Sequence, residues 1–207
     1  MSLKDAIICS YPRTITVSEI REIIANKNEK EKATLISVID HRLSRRFLKV
    51  IDNASKEDLS SFMTMAICCL LIETLECFYQ GLPDTNKNGE SERMFKDFFY
   101  RAKEDFPGLT ENSTDFYLNV RGGLLHQAET MNGWFLIKSG KIFEESGKVK
   151  IINGDLFYNT TKKAISDYLK LLEEKDFNDE ILKRAFDKLE HVCKNCQELR
   201  KYKNDGN

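Results

Sequence analysis

Arg121 and His126 are separated by four residues in the run VRGGLLHQAE at 120–129, and both residue types are suited to chemistry on a phosphate. An arginine guanidinium is a permanent cation whose forked donors match phosphate oxygens. A histidine imidazole is the side chain best placed to move a proton near neutral pH. The neighbouring residues are mostly apolar and typical of a buried helix, where packing requires neither side chain. The pair therefore indicates phosphate chemistry, and RNA is the natural substrate to consider.

A structural role for the same two residues is the alternative. Arg121 would then form an ion pair with an acid such as Glu73 or Glu129, and His126 would be a hydrogen-bonded core residue. A cation and a titratable group in an apolar helix nevertheless favour a functional site. In that interpretation Glu73 and Glu129 are supporting residues, and either Glu73 or Glu76 orients Arg121 or His126. The alternative for Glu73 and Glu76 is a solvated edge of their helix.

Two further groups of residues have spacings that bear on function. Arg42, Arg45, Arg46 and Lys49 recur at three- and four-residue steps, so on an α-helix they share a face that is either solvated or an RNA-binding patch. The segment from His191 to Cys196 offers three side chains in an H-x-C-x-x-C pattern, whereas a structural zinc site needs four ligands. No second pair of ligands lies nearby in the sequence, and we expect no metal and no cofactor.

The composition is typical of a soluble globular protein and gives no indication of a membrane-spanning segment. The 207 residues include 41% hydrophobic and 31% charged residues, and the net charge of -1 gives no overall attraction to nucleic acid. The longest apolar run, 65–75, contains Glu73 and is too short to span a bilayer. Six cysteines, two of them adjacent, do not resemble a disulfide framework. We therefore expect a cytoplasmic protein with no membrane association.

Helical periodicity dominates the chain, with one exception late in the sequence. Trp134–Ile137, 148–152 and 155–158 have the composition of short strands, and Asn153-Gly154 is a typical turn. These features predict a mainly α fold, a single helical domain over 1–207 with a small β-meander inserted at about 133–158. The predicted helices lie near 20–24, 29–51, 55–80, 94–106, 114–130, 160–172 and 178–202. Ser18 is the expected cap of the first helix, and Gly81 is the expected stop of the third.

The predicted helix at 114–130 positions the motif. Five steps along an α-helix are about 140° of rotation, so Arg121 and His126 do not share one face and would converge on a phosphate lying across the helix or between two copies of it. Gly122 and Gly123 cost about 1 kcal/mol each relative to alanine within a helix. Close approach of a partner helix would offset that cost and predicts a homodimer through this helix.

An arginine and a histidine separated by four residues on a bundle helix resemble the R-x(4–6)-H motif of the HEPN family, the higher eukaryotes and prokaryotes nucleotide-binding domains. The flanking segments 117–120 and 127–134 are similar to a prokaryotic subfamily of these domains. The apolar helix that ends at 72–81 is similar too. The resemblance covers roughly residues 30–175.

The resemblance implies a HEPN-like helical bundle that dimerises and brings two motifs together. It implies a metal-independent endoribonuclease, such as a toxin or a phage-defence effector, in which Arg121 and His126 cleave RNA by attack of its 2′-OH. The partner of such an effector would be an antitoxin or another protein. The alternative is an inactive HEPN-like module that binds RNA, a nucleotide or a partner. Gly122, at a position that is commonly a polar residue in active members, favours the alternative.

Overall fold

The computed structural model describes residues 6–10, 13–54 and 61–204, with only the backbone described at 197–204. Within these residues the protein is mainly helical with a small late sheet, so the predicted fold class is confirmed. The chain forms two compact units. The prediction of a single domain stays a prediction.

The first unit comprises Met1–Arg46, Cys77–Asp84 and Asp167–Asn207. An antiparallel pair of short strands, which was not predicted, precedes its first helix. That helix begins at Val17, ahead of the predicted cap Ser18, because the Thr16 hydroxyl accepts a hydrogen bond from the Glu19 N–H and caps the helix. In chain order, the unit begins with β1 (Ile7–Cys9), β2 (Ile15–Thr16), α1 (Val17–Asn26), a 3-10 turn (Glu29–Glu31) and α2 (Lys32–Asp40). Its last helix is α9 (Glu180–Asn204).

The helix predicted at 29–51 contains a π-helical segment, His41–Leu48, before it resumes as α3 (Lys49–Asn53). Hydrogen bonds five residues apart define this geometry. Side chains follow the same spacing: the Arg45 Nε lies 3.2 Å from the Asp40 Oδ2, and the Arg46 Nε donates to the His41 Nδ1 at 3.3 Å. The α-helical spacing used to predict a shared cationic face therefore does not apply here.

The long apolar helix α4 spans Ser61–Gln80, and the predicted start at 55–60 lies outside the described residues. The helix ends at Gly81, whose φ of +70° is a left-handed conformation that favours glycine. Among the described residues α4 alone has the length and composition to cross a membrane, with a mean hydropathy of 1.7. Because 56% of that stretch is buried, it also fits a core helix, which meets the same criteria.

The second unit comprises Phe47–Glu76 and Thr85–Ser166. Its helix α5 (Glu90–Arg101) has apolar residues at three- and four-residue steps on one face, and these residues are buried. The phenylalanines among them join a cluster of aromatic rings in edge, tilted and stacked contacts. The fully buried members of this cluster are Phe95, Phe98, Phe99, Phe106, Phe116, Trp134 and Phe157.

The helix predicted at 114–130 is also interrupted by a π-helical turn. It runs as α6 (Ser113–Phe116), the π turn Tyr117–Arg121 and α7 (Gly122–Gln127). It ends at Ala128, whose φ is +57°. The chain then turns back to start the late sheet.

The late sheet consists of β3 (Trp134–Ile137), β4 (Phe143–Ser146) and β5 (Val149–Asn153). The strand order is β3-β5-β4, with β3 parallel to β5 and β4 antiparallel to it, so the connectivity is not that of a simple meander. Two residues, Gly147-Lys148, connect β4 to β5 in a hairpin. The strand β4 was not predicted, since its sequence FEES lacks alternation of apolar and polar residues.

The predicted turn at Asn153-Gly154 and the predicted strand at 155–158 are wrong. Asn153 is the last residue of β5, and Gly154 together with 155–158 belongs to the start of α8 (Gly154–Glu174). The Asn153 side chain accepts a hydrogen bond from the Leu156 N–H at 3.1 Å and thereby caps the helix. An Asn-Gly pair can form a hairpin turn or begin a helix, and in this protein it begins a helix.

Candidate functional site

Arg121 is half-buried at the end of the π turn and faces α4 of the same unit. Its Nη2 lies 3.2 Å from the Glu73 Oε2, and the side chains of the two residues are 22% and 16% exposed. The guanidinium also lies over the Tyr117 ring at 5.3 Å. The Thr85 hydroxyl donates to the other oxygen of Glu73. Of the acids named from the sequence, Glu73 is therefore the partner of Arg121, whereas Glu76 is buried and forms an ion pair with Arg101.

His126 has a different environment, although it lies on the same short segment. It is in the last turn of α7, and its side chain is exposed. Within the described part of the chain it makes no hydrogen bond or ion pair. The interpretation of His126 as a buried core histidine therefore does not fit. Arg121 ends the π turn and α7 carries the chain on to His126, so the two side chains lie on different faces of the segment, about 140° apart for five α-helical steps.

Glu129 makes no hydrogen bond or ion pair with Arg121 or His126. It is exposed, and its Oε1 accepts a hydrogen bond from the Thr130 N–H at 3.0 Å. The left-handed residue Ala128 redirects the chain just before it. The supporting role of Glu129 stays a prediction, and its hydrogen bond to Thr130 does not support that role.

Gly123 is explained within the chain and not by a partner helix. A Cβ at Gly123 would lie 2.4 Å from the Glu129 carbonyl oxygen and 3.2 Å from the Met131 Cγ. A Cβ at Gly122 would meet only the Tyr117 carbonyl oxygen at 3.4 Å, which is an ordinary contact. The close approach predicted for these glycines thus exists, but the returning segment 129–131 makes it.

A polar network that sequence reasoning missed holds that returning segment against the motif helix. Asp115 accepts hydrogen bonds from the Trp134 Nε1 at 3.0 Å and from the Lys150 ammonium. Buried Asn119 donates to Asp115 at 2.6 Å and accepts from the Asn132 amide at 2.6 Å. The spacing of Asp115 and Asn119 by four residues was the available signal. This network links the motif helix to β3 and β5.

The thiol of Cys69 is buried close to the motif. Burial raises the pKa of Cys69 well above its usual range, although the nearby Arg121 cation acts in the opposite direction. The reactive thiolate form is therefore disfavoured near neutral pH. The candidate reactive groups of this site are therefore the side chains of Arg121 and His126.

The predicted cationic patch does not form a single row of unpaired charges. Arg45 and Arg46 make the side-chain contacts described above. Arg42 is half-buried, its Nε has no hydrogen-bond acceptor within the described residues, and burial lowers the pKa of its guanidinium. Lys49 is exposed on α3, in the other unit. Binding of RNA by these four residues stays a prediction.

No group of three or more metal-ligating side chains comes together in the residues that the structure describes. His191, Cys193 and Cys196 all lie on α9 and do not form such a group.

Comparison of the chain with models of protein families, with curated proteins and with solved structures finds no match in any of the three. The geometry and chemistry around Arg121 and His126 are therefore the basis for a functional proposal.

Proposed function

We propose that this protein is a metal-independent endoribonuclease of the HEPN type that acts as a homodimer, with Arg121 and His126 as its catalytic residues. The observation that carries the proposal is the contrast between the two side chains. Glu73 and Tyr117 hold the Arg121 guanidinium in place. Five positions later in the chain, His126 presents an exposed imidazole that has no hydrogen-bond or ion-pair partner in the described part of the chain. A fixed cation and an accessible proton carrier are what phosphate transesterification requires.

The chemistry follows from the two groups. His126 removes the proton from a ribose 2′-OH, or gives one to the departing 5′-oxygen. Arg121 stabilises the additional negative charge of the pentacoordinate phosphorus in the transition state. The 2′-oxygen forms a bond to phosphorus as the bond to the 5′-oxygen breaks, leaving a 2′,3′-cyclic phosphate. DNA has no 2′-OH and is not a substrate.

In a homodimer the two side chain types could meet at one phosphate, which Arg121 and His126 of a single copy do not do. Arg121 and His126 of one chain point in different directions, so a phosphate between two copies would meet the arginine of one and the histidine of the other. Leu118 and Leu125, on the same segment, are 52% and 58% exposed. Apolar side chains that flank the motif in this way support an interface between two copies.

The second candidate function is an inactive HEPN-like module that binds RNA, a nucleotide or a partner protein such as an antitoxin. The ion pair between Arg121 and Glu73 favours it, because a carboxylate already engages the guanidinium. Gly122, which adds no polar group beside Arg121, favours it as well. In this case Arg121 and His126 contribute to recognition without turnover.

The deciding experiment is cleavage of single-stranded and structured RNA by the purified protein in the presence of EDTA. We expect products with 2′,3′-cyclic phosphate ends and no cleavage of DNA of the same sequence. His126→Ala should slow cleavage by about 10²–10⁴-fold. Arg121→Lys should also be slow, since a point charge does not reproduce the guanidinium fork.

His191→Ala is the matched control, because it removes a histidine of α9 that lies outside the motif. Cleavage that needs magnesium, or that survives His126→Ala, would show that the catalytic site is elsewhere. Absence of cleavage together with RNA binding that Arg121→Ala abolishes would support the second candidate.

A further inference from the structure

Three asparagines of this chain are followed directly by glycine, in the pairs Asn88-Gly89, Asn132-Gly133 and Asn153-Gly154. Asparagine is one of the thermolabile residues, because its side-chain amide can be attacked by the backbone nitrogen of the next residue. A glycine at that next position has no Cβ to hinder the attack. The asparagine side chain and the backbone that follows it must move together for the two atoms to meet. The surroundings of each pair therefore decide whether it reacts in the folded protein.

The pair Asn153-Gly154 is held by hydrogen bonds at the start of α8. Asn153 is 5% exposed, and its side chain donates to the Gly140 carbonyl oxygen at 3.0 Å and accepts from the Leu156 N–H at 3.1 Å. Gly154 is buried as well. Rotation of the Asn153 amide toward the next nitrogen would break both bonds and remove the cap of the helix.

The pair Asn132-Gly133 is held between the motif helix and the late sheet. The Asn132 amide donates to the Asn119 Oδ1 at 2.6 Å, and the Gly133 carbonyl oxygen accepts from the Lys150 N–H at 2.8 Å. The space beside Gly133 is also filled, since a Cβ there would lie 2.4 Å from the Lys148 carbonyl oxygen. Movement of this pair would break its hydrogen bonds to both neighbouring elements.

The pair Asn88-Gly89 lies in the loop that joins α4 to α5, and its surroundings are open. Both residues are exposed, and a Cβ at Gly89 would meet no atom within 4 Å apart from its chain neighbours. Within the described part of the chain, neither the Asn88 side chain nor the Gly89 N–H makes a hydrogen bond. The Gly89 carbonyl oxygen is engaged, because it accepts from the Arg93 N–H at 3.0 Å. The two groups that must react are therefore the unrestrained ones.

We propose that Asn88 is a site of spontaneous deamidation in the folded protein, whereas the fold protects Asn132 and Asn153. The Gly89 nitrogen gives its proton to hydroxide and forms a bond to the Asn88 Cγ, and the bond from Cγ to the side-chain nitrogen breaks and releases ammonia. Water then opens the resulting cyclic imide. Opening at Cγ gives aspartate, and opening at the main-chain carbonyl carbon gives isoaspartate. The net reaction consumes one water and releases one ammonia, without an oxidant or a reductant.

The fold tolerates either product. The new carboxylate adds one negative charge just before the first turn of α5, where the positive end of the helix dipole favours an anion. Isoaspartate lengthens the main chain by one methylene, and an exposed loop accommodates such a change. The modified protein therefore accumulates in its folded form as a more acidic variant.

The test follows peptide masses of the full-length, folded protein over several weeks at physiological pH and temperature. Trypsin cleaves after Lys87 and Arg93 and isolates Asn88 in the peptide 88–93, and the other two pairs lie in separate tryptic peptides. We expect the peptide 88–93 to gain the mass difference between an amide and an acid, and electron-transfer fragmentation to show both aspartate and isoaspartate. The other two peptides should gain it at least about tenfold more slowly, because each pair must first break two hydrogen bonds.

Incubation in concentrated urea is the control for the fold. Glycine follows the asparagine in all three pairs, so unfolding should bring their rates to similar values. Asn88→Gln is the control for the position, because the longer side chain closes the imide ring far less readily. It should abolish the mass gain of its own peptide and leave the other two unchanged. A sample digested before incubation gives the background from the digestion itself.

Two results would overturn the proposal. One is a folded protein whose peptide 88–93 gains mass much more slowly than it does in urea. The other is a folded protein in which Asn132 or Asn153 reacts as fast as Asn88. The outcome is independent of the proposed ribonuclease activity, because neither Arg121 nor His126 takes part in the reaction.

Discussion

At the residue scale, two adjacent glycines of the motif helix have different surroundings. The returning segment 129–131 fills the space next to Gly123, where a Cβ would lie 2.4 Å from a backbone oxygen. Gly122 has room for a methyl group and is not in a left-handed conformation. The same substitution should therefore have opposite effects at the two positions.

We predict that Gly123→Ala lowers the free energy of unfolding by about 1–3 kcal/mol, because overpacking against a backbone oxygen forces the helix or the returning segment to move. Gly122→Ala, the matched control, should be neutral or should stabilise by up to about 1 kcal/mol, since alanine is the better helix former. Urea unfolding followed by circular dichroism measures both. Equal stability of the two variants would show that the contact with Glu129 is not tight.

Glu73 is the second residue whose surroundings lead to a prediction. Glu73→Ala leaves the half-buried guanidinium of Arg121 and the Thr85 hydroxyl without their partner, and should lower the free energy of unfolding by about 1–3 kcal/mol. Glu129→Ala removes an exposed acid and should stay within about 0.5 kcal/mol of the wild type. Urea unfolding of both variants is the measurement, and similar losses in the two would contradict the assignment of Glu73 as the partner of Arg121.

At the element scale, Asp115 connects the motif helix to the late sheet. Burial acts to raise the pKa of this carboxyl, but the hydrogen bonds from Lys150 and Trp134 and the charge of Lys150 outweigh it and hold the pKa below its ordinary value of 3.8. A carboxylate with a lowered pKa stabilises the fold above its unfolded-state pKa. That stabilisation is lost as the pH falls through the lower, folded-state value.

We therefore predict that Asp115→Asn lowers the free energy of unfolding by about 1–2 kcal/mol at pH 7, a value reduced for the partial exposure of the carboxylate. The difference from the wild type should shrink as the pH falls below about 4. Asp105→Asn is the control, because the ion pair between Asp105 and Lys163 is exposed on both sides and should contribute less than about 0.5 kcal/mol. Urea unfolding at several pH values tests both, and a difference that does not change with pH would count against the network.

At the scale of the whole molecule, the question is whether two copies associate through the motif helix. Gly123 no longer supports such an interface, since its own chain covers it. The exposed Leu118 and Leu125 remain as the argument. An interface around these residues would place two motifs together, as the proposed reaction requires.

We predict a homodimer at tens of micromolar by size-exclusion chromatography with light scattering. Leu118→Lys and Leu125→Lys should each shift it toward the monomer, because a charge in an apolar interface costs desolvation energy. Val50→Lys replaces a residue that is 62% exposed outside the motif segment and should leave the mass unchanged. A wild-type protein that is monomeric at this concentration would remove the dimer from the proposed mechanism.

The sequence by itself determined the elements whose pattern is local. The spacing of Met94, Phe95, Phe98 and Phe99 predicted α5 and its buried face, and Trp134–Ile137 predicted β3 with its bounds. Gly81 predicted the end of α4. Such features depend on residues one to four positions apart, so the sequence carries them directly. The motif Arg121 and His126 was visible for the same reason.

Only the tertiary structure decided how distant residues are used. It selected Glu73, 48 residues away, over the nearby Glu129 as the partner of Arg121. It assigned Gly123 to the returning chain, made Asn153 a helix cap and widened two helices into π turns. Each of these outcomes has a local alternative, and packing of residues far apart in the chain selects among them. Periodicity contains no information about such contacts, which is why the surroundings of the motif, unlike its position, could not be predicted.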